Sequence, residues 1–378
     1  MNATDPIEPA CVPRGQQSFV GDAPLQRDRT AVTVDLWYER VSRFAEDLYP
    51  GRYTRTYVKQ LVELAHEVLH LAEIKQSVIV AHNYQYPELQ EVAELVGDSL
   101  ALSQYVAERQ AWRVDFCGVL FMGETAKIIL GDKTKVFMPD LPGCSLVASI
   151  DQHRLDAWIS HNPDGVLVSY INTDAKTKAR SHYICTSRNA AAILAHAAQH
   201  YPGRRILFLP DKYLGAVVLS QTAVDRKLVD LYEGACHVHA NIGEHALEKA
   251  FEAHPEADLL IHPECGCASS CLAKTMSGAL PHRKSYFLST EQMLWHAKSA
   301  PAREFIVATE KGMVYRLRKE VPDKAFYPVS DLAVCEYMKM NTLEKLCDSL
   351  RHDRIEITVP EEIRTQAHAA IERMVRII

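Results

Sequence analysis

Two groups of cysteines could do chemistry in this chain. Cys265, Cys267 and Cys271 crowd the stretch "HPECGCASSC", whereas Cys144, Cys236 and Cys335 lie far apart in "LPGCSL", "EGACHVH" and "LAVCEYM". Three thiolates brought to one point hold either zinc, with water in the fourth place, or a 4Fe–4S cluster with one iron free of protein. Structural zinc sites usually carry closely spaced cysteine pairs, and none of the three distant cysteines has such a partner. The alternative for each is a small buried apolar residue, a common fate of free cysteine. Around them stand groups suited to a small anionic substrate. Ser99, Ser187, Ser289 and Thr290 open predicted helices, where free backbone N–H groups and the dipole attract carboxylates and phosphates. As simple caps they would each add about 1 kcal/mol of stability. His82, His239 and His262 can be cationic donors, and Tyr84, Tyr170 and Asn172 neutral ones. Glu264 follows His262 at a strand end, where a carboxylate beside a metal can move protons. Lys178 and Lys212 are further cations on loops.

The elements that must position these residues repeat. Ten apolar runs read as strands: "SVIVAH", "DFCGVLF", "KVFMP", "VLVSYI", "HYICT", "RILFLP", "DLLIH", "SYFLS", "EFIVAT" and "AFYPV". Helical patterns alternate with them, among them "PELQEVAELV", "DSLALSQYVAER", "NAAAILAHAAQH", "EHALEKAFEAH" and "TEQMLWHAKS". Strands this continuously apolar belong to parallel sheets covered on both faces. Three strand ends carry His82, Tyr170 and His262, and the next hydroxyl residue follows 17, 17 and 27 residues later, at 99, 187 and 289. From hydroxyl to loop cysteine the steps are 45, 49 and 46, to 144, 236 and 335. The ten extra residues of the third unit coincide with "CGCASSCLAK". Three copies of one βα module account for this spacing. Ligands of open parallel sheets bind beyond the carboxyl ends of the strands. Three such edges turned to one centre would each bring a cysteine, a helix start and a polar strand end. Cys265, Cys267 and Cys271 would then lie on a loop of one unit, as a redox or metal-delivery site or as unpaired thiols.

Bulk properties bound the function. A chain of 378 residues exceeds one ordinary core. Its net charge of −6 argues against nucleic acid as the main partner. No apolar run is long enough for a membrane span, and the first thirty residues lack a signal-peptide core. Ten cysteines without an export signal point to a reducing, cytoplasmic compartment. The expected division is a leader over 1–35, αβα domains over 36–155, 156–245 and 246–340, and C-terminal helices over 341–378. The last of these, "VPEEIRTQAHAAIERMVRII", reads as amphipathic.

The stretches "VAHNYQ", "DSLAL", "MPDLPGCSL", "YINTDAKTKA", "CTSRNA", "PDKYLG", "GACHVH", "HPEC", "VATEKG" and "CEYMKMNTLEKL" resemble the quinolinate synthase family, from about residue 75 to 347. The resemblance implies three similar three-layer αβα (Rossmann-like) domains about a pseudo-threefold axis. It also implies one 4Fe–4S cluster per chain, bound by Cys144, Cys236 and Cys335. The implied reaction belongs to NAD biosynthesis and condenses iminoaspartate with dihydroxyacetone phosphate to quinolinate, losing phosphate and water, with the open iron as Lewis acid. Iminoaspartate would come from an aspartate-oxidising enzyme. His82, Ser99, Tyr170, Asn172, Ser187, His262, Ser289 and Thr290 would hold substrate. Glu264 would be the acid–base group, Tyr84 would assist proton transfer, and His239 would line the same cavity. Two departures are visible. "SDLAVCEYM" lacks the second cysteine that some members carry before the third ligand, and "CGCASSCLAKTMSGALPHRK" is inserted where others run on directly. Two other readings compete: an iron–sulfur sensor without enzymatic activity, and a zinc-dependent hydrolase.

Overall fold

Among the described residues, twelve strands pair into three sheets with one plan. The computed structural model describes residues 30–109, 111–268, 271 and 284–377. The first sheet comprises β1 (Ser77–His82), β2 (Leu95–Gly97), β3 (Arg113–Cys117) and β4 (Lys135–Phe137). The second has β5 (Val166–Tyr170), β6 (Tyr183–Cys185), β7 (Ile206–Leu209) and β8 (Val229–Leu231). The third has β9 (Asp258–Ile261), β10 (Ser285–Phe287), β11 (Glu304–Ala308) and β12 (Ala325–Pro328). Their spatial orders are β2-β1-β3-β4, β6-β5-β7-β8 and β10-β9-β11-β12, and every pairing is parallel. Equivalent registers end at His82 opposite Gly97, Tyr170 opposite Cys185 and Ile261 opposite Phe287. The three αβα units expected from the spacing are therefore present.

The central strands are apolar because helices cover both faces. Every residue of β1, β3, β5 and β7 is buried. A fully buried Val or Ile side chain contributes about 1.5–3 kcal/mol over exposure, so these strands fix the register. The first and third units share a core: Leu260, Phe305, Val307 and Phe326 cluster with Ile79, Val80 and Phe116. Helix Leu343–His352 packs on helix Arg55–Ile74 and on β3. Helix Glu361–Arg376, the amphipathic tail, packs on helix Ala175–Arg180, β6 and helix Leu120–Leu130, joining the second unit to the first. The exposed edge of β4 is closed by an antiparallel bridge from Phe137 to Glu356, with Ile357 N–H donating to Val136 O at 2.8 Å. No helix of the described residues is long and apolar enough to cross a membrane.

Three details differ from the sequence reading. The run "PELQEVAELV" is not one helix: it stops at Val92, Ala93 turns extended (φ −75°, ψ 140°), and Leu95–Gly97 forms β2. Neither β2 nor β8 was expected, because three residues are too few to show periodicity and these strands are held by main-chain pairing to β1 and β7. The run "DFCGVLF" ends as a strand at Cys117, and Leu120 already opens a helix. A buried apolar run fits either element by pattern alone. Residues 1–29, most of the expected leader, and 272–283 of the insert lie outside the described residues.

Candidate metal centre

Each of the three distant cysteines ends the loop after the fourth strand of its sheet and stands immediately before a four-residue helix. Cys144 precedes Ser145–Ala148, Cys236 precedes His237–Ala240 and Cys335 precedes Glu336–Lys339. All three have extended backbones, and none spends its side chain on a capping hydrogen bond. The thiols are unbridged and line one cavity. Burial pushes the Cys144 thiol up to about 12, against the pull of the Val147 and Leu146 backbone N–H groups, and the Cys236 and Cys335 sulfurs add to the rise. Burial also raises Cys335 to about 11. Thiols held this high give up their protons when a metal takes their place. Among the described residues, the group whose donor atoms all lie within 4.8 Å of one another is Cys236, His239 and Glu264, not the three cysteines. Tetrahedral zinc with bonds of about 2.3 Å needs sulfurs about 3.8 Å apart. The sulfurs of Cys144, Cys236 and Cys335 do not all lie within 4.8 Å of one another.

Glu264 occupies the wall of this cavity and is buried. Tyr170 donates its hydroxyl hydrogen to Oε1 at 2.5 Å. His239 Nδ1 lies 3.2 Å from Oε2 and His262 Nδ1 lies 3.8 Å from Oε1. Both nitrogens are buried and, among the described residues, meet no partner in full hydrogen-bonding geometry. Burial alone would raise the Glu264 carboxyl. The neighbouring His262 and His239 imidazoles and the Tyr170 hydrogen bond outweigh it and hold the group at about 2, ionised. Burial drives His262 down to about 4 and, helped by His262, drives His82 down to about 3. His82 Nδ1 accepts the Tyr84 N–H at 3.2 Å, which puts its proton on Nε2. His239 moves the other way. Burial would lower it, but Tyr84, Cys236 and Glu264 raise it above the ordinary imidazole range.

All fourteen residues named as catalytic, substrate-binding or metal-binding line this one cavity: Cys144, Cys236, Cys335, His82, Tyr84, Ser99, Tyr170, Asn172, Ser187, His239, His262, Glu264, Ser289 and Thr290. The hydroxyls reach it by different routes. Ser289 is a true cap, in a capping box with Gln292 on helix Thr290–Ser299. Ser99 is already the first helical residue of Ser99–Arg109, and Asp98 takes the cap role by accepting Ala101 N–H at 2.9 Å. Ser187 sits in a turn ahead of Asn189, the cap of helix Ala190–His200. The reading of Ser99 and Ser187 as caps is therefore corrected, and their hydroxyls are left for the cavity. Thr290 Oγ1 accepts from Asn83 Nδ2 at 2.8 Å. Lys178 and Lys212 do not line the cavity. Lys178 is fully buried, lowered to about 8 by desolvation, and donates to Thr173 O. Lys212 is half-exposed and lies 3.6 Å from Glu233.

A family model described as "Quinolinate synthetase A protein" matches residues 66–376. The quinolinate synthase of Thermus thermophilus is 48% identical over 315 residues, which is 83% of this chain and 97% of that protein. That of Pyrobaculum aerophilum is 44% identical over 312 residues, 82% of this chain and 98% of that protein. That of Mycolicibacterium paratuberculosis is 42% identical over 344 residues, 89% of this chain and 97% of that protein. The chain belongs to the quinolinate synthase family.

Within this member of the quinolinate synthase family, four further residues complete the site. Thr309, just past β11, meets Tyr84 Oη at 2.6 Å and His239 Nε2 at 3.0 Å. Glu310 is buried on the cavity wall. Its Oε2 accepts Gly312 N–H at 2.7 Å, and its Oε1 lies 3.1 Å from Lys339 Nζ and accepts Cys335 N–H at 3.4 Å. Lys339 also donates to Tyr84 O. Asp98 lines the cavity and is raised to about 6 by burial and then by Glu291. Thr309 and Glu310 lie just past the carboxyl end of β11, within "VATEKG", one of the stretches that carry the family resemblance. Cys265, Cys267 and Cys271 are buried among Val217, Ile242, Leu247 and Ile306 and do not line the cavity. Cys265 Sγ donates to Ala308 O at 3.1 Å.

Proposed function

We propose that this chain is a cytoplasmic transferase that condenses iminoaspartate with dihydroxyacetone phosphate to quinolinate, releasing phosphate and water. Cys144, Cys236 and Cys335 would hold one 4Fe–4S cluster, one from each αβα domain, over 36–155, 156–245 and 246–340. When bound, that cluster supplies a Lewis-acidic iron with no protein ligand. The protein's own groups do the rest. His82, Ser99, Tyr170, Asn172, Ser187, His262, Ser289 and Thr290 bind and orient the carboxylates and phosphate. Glu264, ionised between His239 and His262, accepts a proton and returns it, and Tyr170 keeps Oε1 aligned. Tyr84 and His239, joined through Thr309, form a second proton route. An aspartate-oxidising enzyme supplies the iminoaspartate.

The observation that carries this reading is the convergence of three cysteine turns, from three separate sheets, on a cavity where an ionised carboxylate faces two unpartnered imidazole nitrogens. A sensor has no need for that carboxylate or for the ring of hydroxyls. A second reading is a single ion on Cys236, His239 and Glu264, favoured by their mutual distances within 4.8 Å. It leaves Cys144 and Cys335 without a role. An anaerobic assay from oxaloacetate, ammonia and dihydroxyacetone phosphate separates these. Wild type is expected to be brown and to form quinolinate, Cys144→Ala to lose both, and Cys267→Ala to keep the colour. Colourless wild-type protein with stoichiometric zinc would sink the proposal.

A further inference from the structure

Ser145, His237 and Glu336 are each the residue after a candidate cluster cysteine, one from each unit, and they touch. His237 donates its backbone N–H to Ser145 Oγ at 3.3 Å, and its Nδ1 lies 2.7 Å from the same oxygen. With the Ser145 hydroxyl donating to Nδ1, the ring proton sits on Nε2. That nitrogen faces Glu336 Oε2 at 3.2 Å. Donor meets acceptor at every link. The Tyr337 ring stands edge-on to His237, centroids 5.9 Å apart, and a Cβ on Gly143 would lie only 3.6 Å from the Tyr337 ring. The residues flanking all three cysteines thus form one seam. It runs along the surface, since the His237 and Glu336 side chains are 39% and 82% exposed.

We propose that Ser145, His237 and Glu336 form a latch that ties the three cysteine turns together on the outer side of the metal centre and restricts access to it. The inference rests on the reading that these cysteines hold a cluster. Hydrogen bonds made directly to a metal ligand typically carry about 10- to 100-fold in metal affinity. This latch acts one residue further out, through the turn that carries each cysteine, so the lower end applies. The His237–Glu336 link is open to water, whereas both Ser145–His237 links are part-buried.

The test uses the full chain, loaded with iron and sulfide anaerobically, and follows iron release to excess chelator and loss of the visible band on exposure to air. His237→Ala is expected to speed both about tenfold while leaving the unfolding midpoint of the metal-free chain unchanged. Glu336→Gln, whose amide oxygen accepts the same hydrogen, should stay close to wild type. In metal-free protein, Ser145→Ala should speed hydrogen exchange at the His237 amide. Release from His237→Ala at the wild-type rate, or an unchanged His237 amide in Ser145→Ala, overturns the latch. A wild-type chain that takes up no iron overturns the cluster reading instead, and the amide-exchange measurement still decides the latch.

Discussion

Glu264 is ionised although buried, because two imidazoles and one phenol surround it. Replacing it by Gln keeps the shape and removes the proton acceptor. The expected result is a fall in kcat of roughly 10²–10⁴ with iron per chain unchanged, read by anaerobic steady-state kinetics and metal analysis. His82 carries a pH prediction. Its folded value is about 3 against the ordinary 6.5, so between these values the unfolded chain binds the extra proton. Stability must then fall as pH drops below 6.5, with a slope approaching about 1.4 kcal/mol per pH unit. Urea midpoints for wild type and His82→Asn from pH 7.5 to 4.5 should show wild type losing ground to the variant as acid is added. Equal pH dependence would contradict a buried, neutral His82.

At the scale of elements, the sheet edges decide which residues meet. The strand-end positions were readable because runs such as "SVIVAH" and "DLLIH" are apolar to the last residue before a polar one. The hydroxyls were readable as helix-start residues, but which of them cap was not: Ser289 does, while Asp98 and Asn189 stand at the cap positions near Ser99 and Ser187. The distinction is measurable. Ser289→Ala, which breaks a capping box, should cost about 1 kcal/mol in urea unfolding as well as raising KM. Ser99→Ala, which breaks no cap, should raise KM with a smaller loss of stability than Ser289→Ala. The short edge strands β2 and β8 were not readable, since only the neighbouring strand makes three residues extended.

Across the whole molecule, the first and third units are joined by a shared core and by a buried charge link. Glu310 belongs to the third unit, and its partner Lys339 reaches the Tyr84 carbonyl of the first. Removing one partner strands a buried charge, at a cost of about 3–5 kcal/mol. Lys339→Met and Glu310→Gln should each lower the unfolding midpoint strongly, and the double variant should be less damaged than the sum of the two. Strict additivity would show that the pair does not act as one unit. The tail helix Glu361–Arg376 does similar work between the first and second units.

By itself the sequence determined the repeating strand–helix order, the three distant cysteines and the polar strand ends, because apolar runs and residue spacing are local properties written along the chain. Only the tertiary structure decided that Cys144, Cys236 and Cys335 open onto one cavity while Cys265, Cys267 and Cys271 lie behind it. The same holds for Thr309, Glu310 and Lys339, and for the contact of Ser145 with His237 and Glu336. The contacts of Thr309 with Tyr84 and His239, of Lys339 with Tyr84 and of His237 with Ser145 and Glu336 join different units, and no local pattern encodes which loops from separate sheets end up side by side.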